Sequence, residues 1–342
     1  MKILITGGCG FVGSNIAIFL KKNFKNANIS SLDNLVRTGS KFNEIRLKKE
    51  KIRNFRLDIT NYKNVLNLKK FNLIIDCCAE PAIEASKKNP DRVLNINLIG
   101  TFNILKKCIN DNANIIFLSS SRVYSIDKLR KIVKNNDLTK PINKKIIIDE
   151  KFETNSASSL YGFTKFSSEK LIKEMFYKKN LKYLINRFSV IAGPWQFGKQ
   201  DQGFVSLWIA KHLYQKKLSY IGFGGRGHQV RDILHVDDVC NIIFLQIKKL
   251  NKIYNKTFNI GGGLKNSLSL YDLTKKCNKM TNNEIKITRK KTTSIFDIPY
   301  YITDNKKIFK TYKWKPSKNV DLIIKDTYEW LKNNKKLKKI FK

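Results

Sequence analysis

The segment Ile3-Leu-Ile-Thr6-Gly7-Gly-Cys-Gly10-Phe11-Val12-Gly13 constrains the fold more than any other stretch of the chain. Its apolar run Ile3–Ile5 reads as a buried parallel strand, and Ser14–Leu20 reads as the first turns of a helix. Gly7, Gly10 and Gly13 stand at the corner between them. Glycine there permits a tight turn, lets the backbone approach a pyrophosphate, and lets helix and strand pack closely. The phosphates would then rest on N–H groups at the helix N-terminus. Twenty residues beyond Gly13 the run Ile29–Leu32 ends in Asp33, a carboxylate suited to the hydroxyls of an adenosine ribose. A 2′-phosphate would face a like charge at Asp33, so the pattern predicts NAD rather than NADP. The plain alternative is a Gly-rich βα turn with no ligand. Strand, helix and spaced Asp together favour the dinucleotide.

Up to about residue 190 the chain alternates apolar strand runs with helical periods. Strands are expected at Ile3–Thr6, Ile29–Leu32, Phe55–Asp58, Leu73–Ala79, Ile115–Ser119 and Tyr183–Arg187, with helices at Val93–Asn110 and Tyr161–Lys178 between them. Such alternation specifies an α/β fold, a doubly wound, Rossmann-like parallel sheet with its ligand at the carboxyl ends of the strands. We expect residues 1–190 to form the NAD-binding domain and residues 191–342 a smaller C-terminal α/β region that binds substrate. In that second part Ser269 is placed to cap a helix over Leu270–Cys277, and a last helix is expected over Leu322–Leu331. Residues 125–157 are rich in Lys and Asn without a clear period, and read as an insertion or loop.

Composition excludes several classes. No apolar run approaches the roughly 18 residues needed to span a bilayer, and Met1–Thr6 is too short and too soon broken by glycine for a signal peptide. A cytoplasmic protein with no membrane partner is expected. The six cysteines (Cys9, Cys77, Cys78, Cys108, Cys240, Cys277) show no Cys-x-x-Cys spacing and read as buried thiols. The histidines His212, His228 and His235 are too scattered for a ligand set, so no metal is expected. The formal charge is +40, from 67 Lys and Arg against 27 Asp and Glu. A nucleic-acid surface would gather that charge on one face, with a stacking platform or a known module. Here lysines occur almost everywhere, mixed with Asn and Ile, so the excess reads as compositional bias and no nucleic-acid partner is expected.

Tyr161 and Lys165 form Tyr-x-x-x-Lys on the helix that follows the Ser119-Ser120-Ser121 strand end. Residues four apart share a helix face, and an ammonium beside a phenol, with a nicotinamide cation nearby, favours phenolate. The pattern alone would be weak. After a dinucleotide corner and a Ser-rich strand end it reads as an acid/base pair.

Thr6-Gly-x-x-Gly10-Phe-Val-Gly13, Asp58-Ile59, Asn97-x-x-Gly100-Thr101, Ser119-Ser120, Val123-Tyr124, Tyr161-Gly162-x-x-Lys165 and Arg231-Asp232-x-x-His235-Val-x-Asp238 together resemble an extended short-chain dehydrogenase/reductase. The likeness covers nearly the whole chain. It implies that Gly7, Gly10, Phe11, Val12 and Gly13 hold the pyrophosphate of NAD and that Asp33 and Asn34 hold the adenosine ribose. Asp58 and Ile59 would flank adenine, and Ala79 and Asn97 would line the cofactor channel. Ser120 matches the catalytic Ser/Thr of the family and joins Tyr161 and Lys165. Ser189, Gln196, Gln202 and Arg231 would contact a nucleotide sugar, with the planar fork of Arg231 on its diphosphate. An ion pair of Arg231 with Asp232 or Asp237 is the structural alternative, and His235 reads as structural.

The chain departs from the family pattern at Cys77-Cys78, at Ser125 and in the insertion that follows. Dehydratases of this family place an acidic pair just after the catalytic Ser/Thr, where this chain has Ser121 and Arg122. Elimination of water is thereby disfavoured, and oxidation with re-reduction, an epimerisation, remains. The segments Phe188–Gln196, Asp201–Gly203, Tyr220–Gly225 and Gln229–Asp232 most resemble epimerases acting at C2 of a CDP-linked sugar. A 4-epimerase, a net dehydrogenase of the same fold, or a non-catalytic NAD-binding protein on nucleic acid are the alternatives. A homo-oligomer, dimer or tetramer, is expected.

Overall fold

The computed structural model describes residues 1–81, 88–133, 138, 142–143, 145–156, 158–199 and 202–341. Its strands are β1 (Lys2–Thr6), β2 (Asn28–Leu32), β3 (Arg53–Phe55), β4 (Leu73–Asp76), β5 (Asn114–Ser120), β6 (Tyr183–Phe188) and β7 (Val190–Ala192). Then follow β8 (Leu218–Ile221), β9 (Val230–His235), β10 (Lys256–Ile260), β11 (Ser267–Ser269), β12 (Ile287–Lys290) and β13 (Tyr300–Tyr301). Seven of them build one sheet in the order β10-β6-β5-β4-β1-β2-β3. Strand β1 pairs in parallel with β2 on one side and β4 on the other, so strand order reverses at its carboxyl end. This reversal is the switch point where α/β sheets bind ligands. The doubly wound sheet expected from the sequence is present.

The chain divides into two compact units that alternate along it. One comprises Met1–Val123, Ser159–Arg187 and Val239–Phe258; the other comprises Tyr124–Ser158, Phe188–Asp238 and Asn259–Lys342. The first holds the large sheet, in which Ile3, Leu4, Ile5, Ile115, Ile116 and Phe117 have no exposed surface. Burying each such side chain contributes about 1.5–3 kcal/mol. Strands covered on both faces read as continuous apolar runs, which is why these were visible in the sequence. In the second unit β9 lies between β11 and β13, β7 pairs with β9, and β12 pairs with β8.

Local boundaries differ from expectation where side chains compete with the backbone. The strand expected at Phe55–Asp58 is Arg53–Phe55, in register with Ser30–Leu32. Asp58 leaves the ladder because its carboxylate accepts the Thr60 N–H at 2.9 Å and the Thr60 hydroxyl at 2.7 Å. The first helix starts at Phe11, not Ser14, because the Gly10 N–H turns back to the Gly7 carbonyl at 2.9 Å. The region Val93–Asn110 is a helix from Pro90 to Leu94, a π-turn over Asn95–Ile99, and a helix over Gly100–Asp111. The helix carrying Tyr161 spans Leu160–Met175 and is capped by Ser159, whose hydroxyl accepts the Gly162 N–H at 3.2 Å. Ser269 caps a helix that runs over Leu270–Thr281, with Asp272 completing a capping box. The last long helix is Val320–Asn333. Within 125–157, Ile126–Lys131 is helical with Ser125 as its cap, while 134–137, 139–141, 144 and 157 lie outside the described residues.

Candidate active site

The corner between β1 and the first helix is built for close approach. Gly7 has φ +59°, and a Cβ there would stand 2.9 Å from the Cys78 Cα. A Cβ on Gly13 would strike the Gly7 carbonyl oxygen. No side chain can therefore fill this cradle, and the half-buried Phe11 and Val12 open the helix beside it. Such a corner, with helix N–H groups at its mouth, fits a pyrophosphate.

Asp33 follows β2. Its carboxylate accepts the Cys9 N–H at 3.0 Å and the Leu35 N–H at 2.8 Å. Burial pushes its pKa up, and those two N–H groups and Arg37 oppose the rise. The exposed Asn34 donates to Asp58 at 2.7 Å. Burial works against the charge on Asp58, but hydrogen bonds from Thr60 and Asn34 hold its pKa below the usual carboxylate range. Ile59 is buried beside Gly100, where a Cβ would strike its side chain. Ala79 lies just past β4, and Asn97 sits in the π-turn. Buried Asn97 accepts the Glu80 N–H at 2.8 Å and donates at 3.1 Å to both the Glu80 carbonyl and Thr164. It thereby ties the segment after β4 to the helix of Tyr161.

Ser120, Tyr161 and Lys165 all lie in this unit. Ser120 ends β5, its hydroxyl accepts the Arg122 N–H at 3.1 Å, and its side chain lies beside the Tyr161 phenol. The Tyr-x-x-x-Lys spacing predicts that Lys165 lowers the Tyr161 pKa. In the folded chain, burial pushes that phenol up, and the groups opposing it are Ser120, Arg122 and Arg37. Lys165 is 2% exposed, with its ammonium 4.3 Å from the centre of the Phe117 ring. Burial lowers its pKa, against the pull of Asp76, Cys78, Cys77 and Glu169. One turn along the same helix, Glu169 accepts the Ser119 hydroxyl at 2.6 Å and the Arg187 guanidinium at 2.7 and 2.9 Å.

Sequence reasoning missed several of these groups. Glu80 pairs with Arg37 at 2.7 Å and with Arg92 at 3.4 Å. The available signal was general: a Glu directly after a buried strand needs a cationic partner. Glu169 announces itself only through its place four residues after Lys165. The residues after Ser120 are Ser121 and Arg122, so no carboxylate stands where an eliminating enzyme of this class carries its acidic pair.

The remaining candidates lie in the second unit. Ser189, Asp232 and Thr303 converge on Gly261, where a Cβ would meet all three side chains. Asp232 accepts the Gly263 N–H at 2.9 Å; burial raises its pKa, opposed by Gly263, Thr303 and Ser189. Gln196 is 9% exposed and donates to the Ile191 carbonyl at 2.8 Å, while its Oε1 is buried without a partner among the described residues. Gln202 exchanges backbone hydrogen bonds with Lys199 at 2.7 and 3.2 Å, and Asp201 lies outside the described residues. The guanidinium of Arg231 donates to the Val230 carbonyl at 2.8 Å and the Ile298 carbonyl at 2.6 Å. Its carboxylate partner is Asp297 at 3.5 Å, not the Asp232 or Asp237 considered from the sequence. His235 is buried and accepts the Asp237 N–H at 3.0 Å.

Residues 3–261 match the NAD dependent epimerase/dehydratase family, and the chain belongs to that family. It is 31% identical to a CDP-paratose 2-epimerase of Salmonella typhi over 96% of this chain and 99% of the relative. It is 32% identical to a putative UDP-glucose 4-epimerase of Methanocaldococcus jannaschii over 97% of this chain and 99% of the relative. Among solved structures, the Thermotoga maritima UDP-glucose 4-epimerase with UDP-glucose superposes with a TM-score of 0.82 at 23% identity, covering 98% of this chain and 99% of that one. The Thermus thermophilus UDP-glucose 4-epimerase in complex with NAD gives 0.81 at 20% identity, covering 97% and 99%. These structures share the fold.

Proposed function

We propose that the protein is an NAD-dependent nucleotide-sugar epimerase that inverts C2 of CDP-paratose to give CDP-tyvelose. The observation that carries the reaction type is Ser120 beside the Tyr161 phenol, with buried Lys165 one turn on and no carboxylate at positions 121 and 122. The choice of sugar is supported by the substrate-half motifs and by the 31% identity to the Salmonella relative of that name. Inversion at C4 of a UDP-sugar is the second reading, supported by the 32% identity to the M. jannaschii relative.

NAD supplies a hydride acceptor that is restored within each turnover. Gly7, Gly10, Phe11, Val12 and Gly13 would hold its pyrophosphate in the cradle that admits no Cβ, with Asp33 and Asn34 on the adenosine ribose. Asp58 and Ile59 would flank adenine, and Ala79 and Asn97 would line the channel. Tyr161 takes the proton from a sugar hydroxyl, Ser120 polarises the forming carbonyl, and Lys165 holds the nicotinamide ribose and stabilises the phenolate. The flat keto-sugar presents its other face, and Tyr161 returns the proton as the hydroxyl re-forms. Ser189, Gln196, Gln202 and Arg231 would hold the nucleotide sugar. No described helix is long and apolar enough to cross a membrane, in keeping with a cytoplasmic enzyme.

A panel of CDP-, UDP-, dTDP- and GDP-sugars, assayed for inversion by NMR, tests the assignment. Turnover of CDP-paratose at C2 is expected. Inversion of a UDP-hexose at C4, with CDP-paratose inert, would favour the second reading.

A further inference from the structure

The described residues from Ser125 onward converge on β9, which carries Arg231, and on β13 beside it. Ile132, Val133, Ile142 and Ile147 pack against a buried cluster of Val230, Tyr300 and Ile302. The Tyr300 hydroxyl donates to the Ile146 carbonyl at 2.7 Å, and the Ile148 N–H donates to the Ile302 carbonyl at 2.8 Å. Strand β13 lies beside β9 with Tyr301 opposite Arg231, so this packing bears directly on the Arg231 backbone.

The sharpest contact comes from Arg130, on the short helix Ile126–Lys131. Its Nε donates to the Asp297 carbonyl at 3.0 Å and its Nη2 to the Ser294 carbonyl at 2.8 Å. The same stretch supplies the two groups that fix Arg231 from the other side, the Ile298 carbonyl at 2.6 Å and the Asp297 carboxylate at 3.5 Å. Asp297 Oδ1 is itself oriented by the Ile298 N–H at 3.0 Å. Residues 294–298 are therefore gripped by one guanidinium while they aim another.

We propose that Arg130 is a positioning residue for nucleotide-sugar binding, holding residues 294–298 so that Arg231 presents its guanidinium to the diphosphate. The inference rests on the reading of Arg231 as the diphosphate ligand. A bidentate guanidinium loses most of its advantage when its plane is free to rotate, so a side chain that fixes the stretch supplying two of its three acceptors acts on affinity rather than on hydride chemistry. Lysine could reach one of the two carbonyls but could not span both.

The test is a double-mutant cycle on the full-length protein, with CDP and UDP as titrants in calorimetry and bound NAD measured alongside. Arg231→Gln is expected to weaken nucleoside-diphosphate binding about 10- to 100-fold, as for loss of charged hydrogen bonds. Arg130→Gln is expected to weaken it about tenfold, with NAD content unchanged and partial recovery in Arg130→Lys. On the Arg231→Gln background, Arg130→Gln should add little, because it acts through Arg231. Full additivity, or an Arg130→Gln protein that binds both diphosphates normally while Arg231→Gln does not, would overturn the proposal and leave the reading of Arg231 intact. Normal binding by Arg231→Gln would overturn that reading and this inference with it. Loss of NAD together with diphosphate binding in Arg130→Gln would mark a general structural role and overturn the proposal as well.

Discussion

The two units present their candidate groups in different ways. In the unit with the large sheet, the groups come from short contiguous motifs at strand ends and helix starts: the Gly7–Gly13 corner, Asp33, Ser120 and the Tyr161–Lys165 turn. Each is placed by the element it sits on. In the other unit Arg231 is placed by the Ile298 carbonyl and Asp297, and Ser189 by neighbours on the Asp232 and Gly261 segments. Position there depends on contacts far apart in sequence. Groups built on regular elements tolerate change elsewhere in the chain; a side chain held by a distant loop can be displaced without being touched.

Predictions follow from that contrast, the largest first. Glu169, on the same helix as Tyr161 and Lys165, is fully buried and forked onto Arg187. Glu169→Gln should leave a buried guanidinium without its counter-charge and cost about 3–5 kcal/mol of stability in urea unfolding. An unchanged unfolding midpoint would mean the first unit is not held rigid in the way described.

Tyr161→Phe removes one hydroxyl and should lower turnover at least about 10²-fold while NAD stays bound. Near-normal activity would reduce Tyr161 to a packed aromatic and erase the distinction between the units.

The smallest effect concerns Asp232. Burial raises its carboxyl pKa above the ordinary value, so folding favours the neutral form relative to the unfolded chain. That contribution is fully present below the unfolded-state pKa of about 3.9 and is lost as pH rises through the folded pKa. Asp232→Asn should therefore gain stability relative to wild type on going from pH 4 to neutrality. Identical pH profiles of the two unfolding midpoints would contradict this.

What the sequence shows and what it hides divides along the same line. The glycine corner, the carboxylate after β2, and Tyr161 with Lys165 were legible because each is a local pattern with a period or a turn rule behind it. So was the N-cap at Ser269. The strand at Arg53–Phe55 was displaced from expectation because the turn at Asp58 outcompetes the ladder. The π-turn that seats Asn97 breaks a helical period only slightly and left no mark. The partner of Arg231 could not be read from neighbouring carboxylates, since Asp297 lies 66 residues away. The contacts of Arg130 span 164 and 167 residues, beyond any local pattern.

The central claim is that hydrogen leaves and returns to the same carbon without passing through water. The direct measurement is turnover of CDP-paratose carrying deuterium at C2, in H₂O, with the product examined by NMR. Ser120, Tyr161 and Lys165 provide for deprotonation of a hydroxyl and stabilisation of a carbonyl, which implies that the deuterium stays at C2 of the product. Deuterium replaced by solvent hydrogen would mean abstraction of the C–H proton, and would contradict the account.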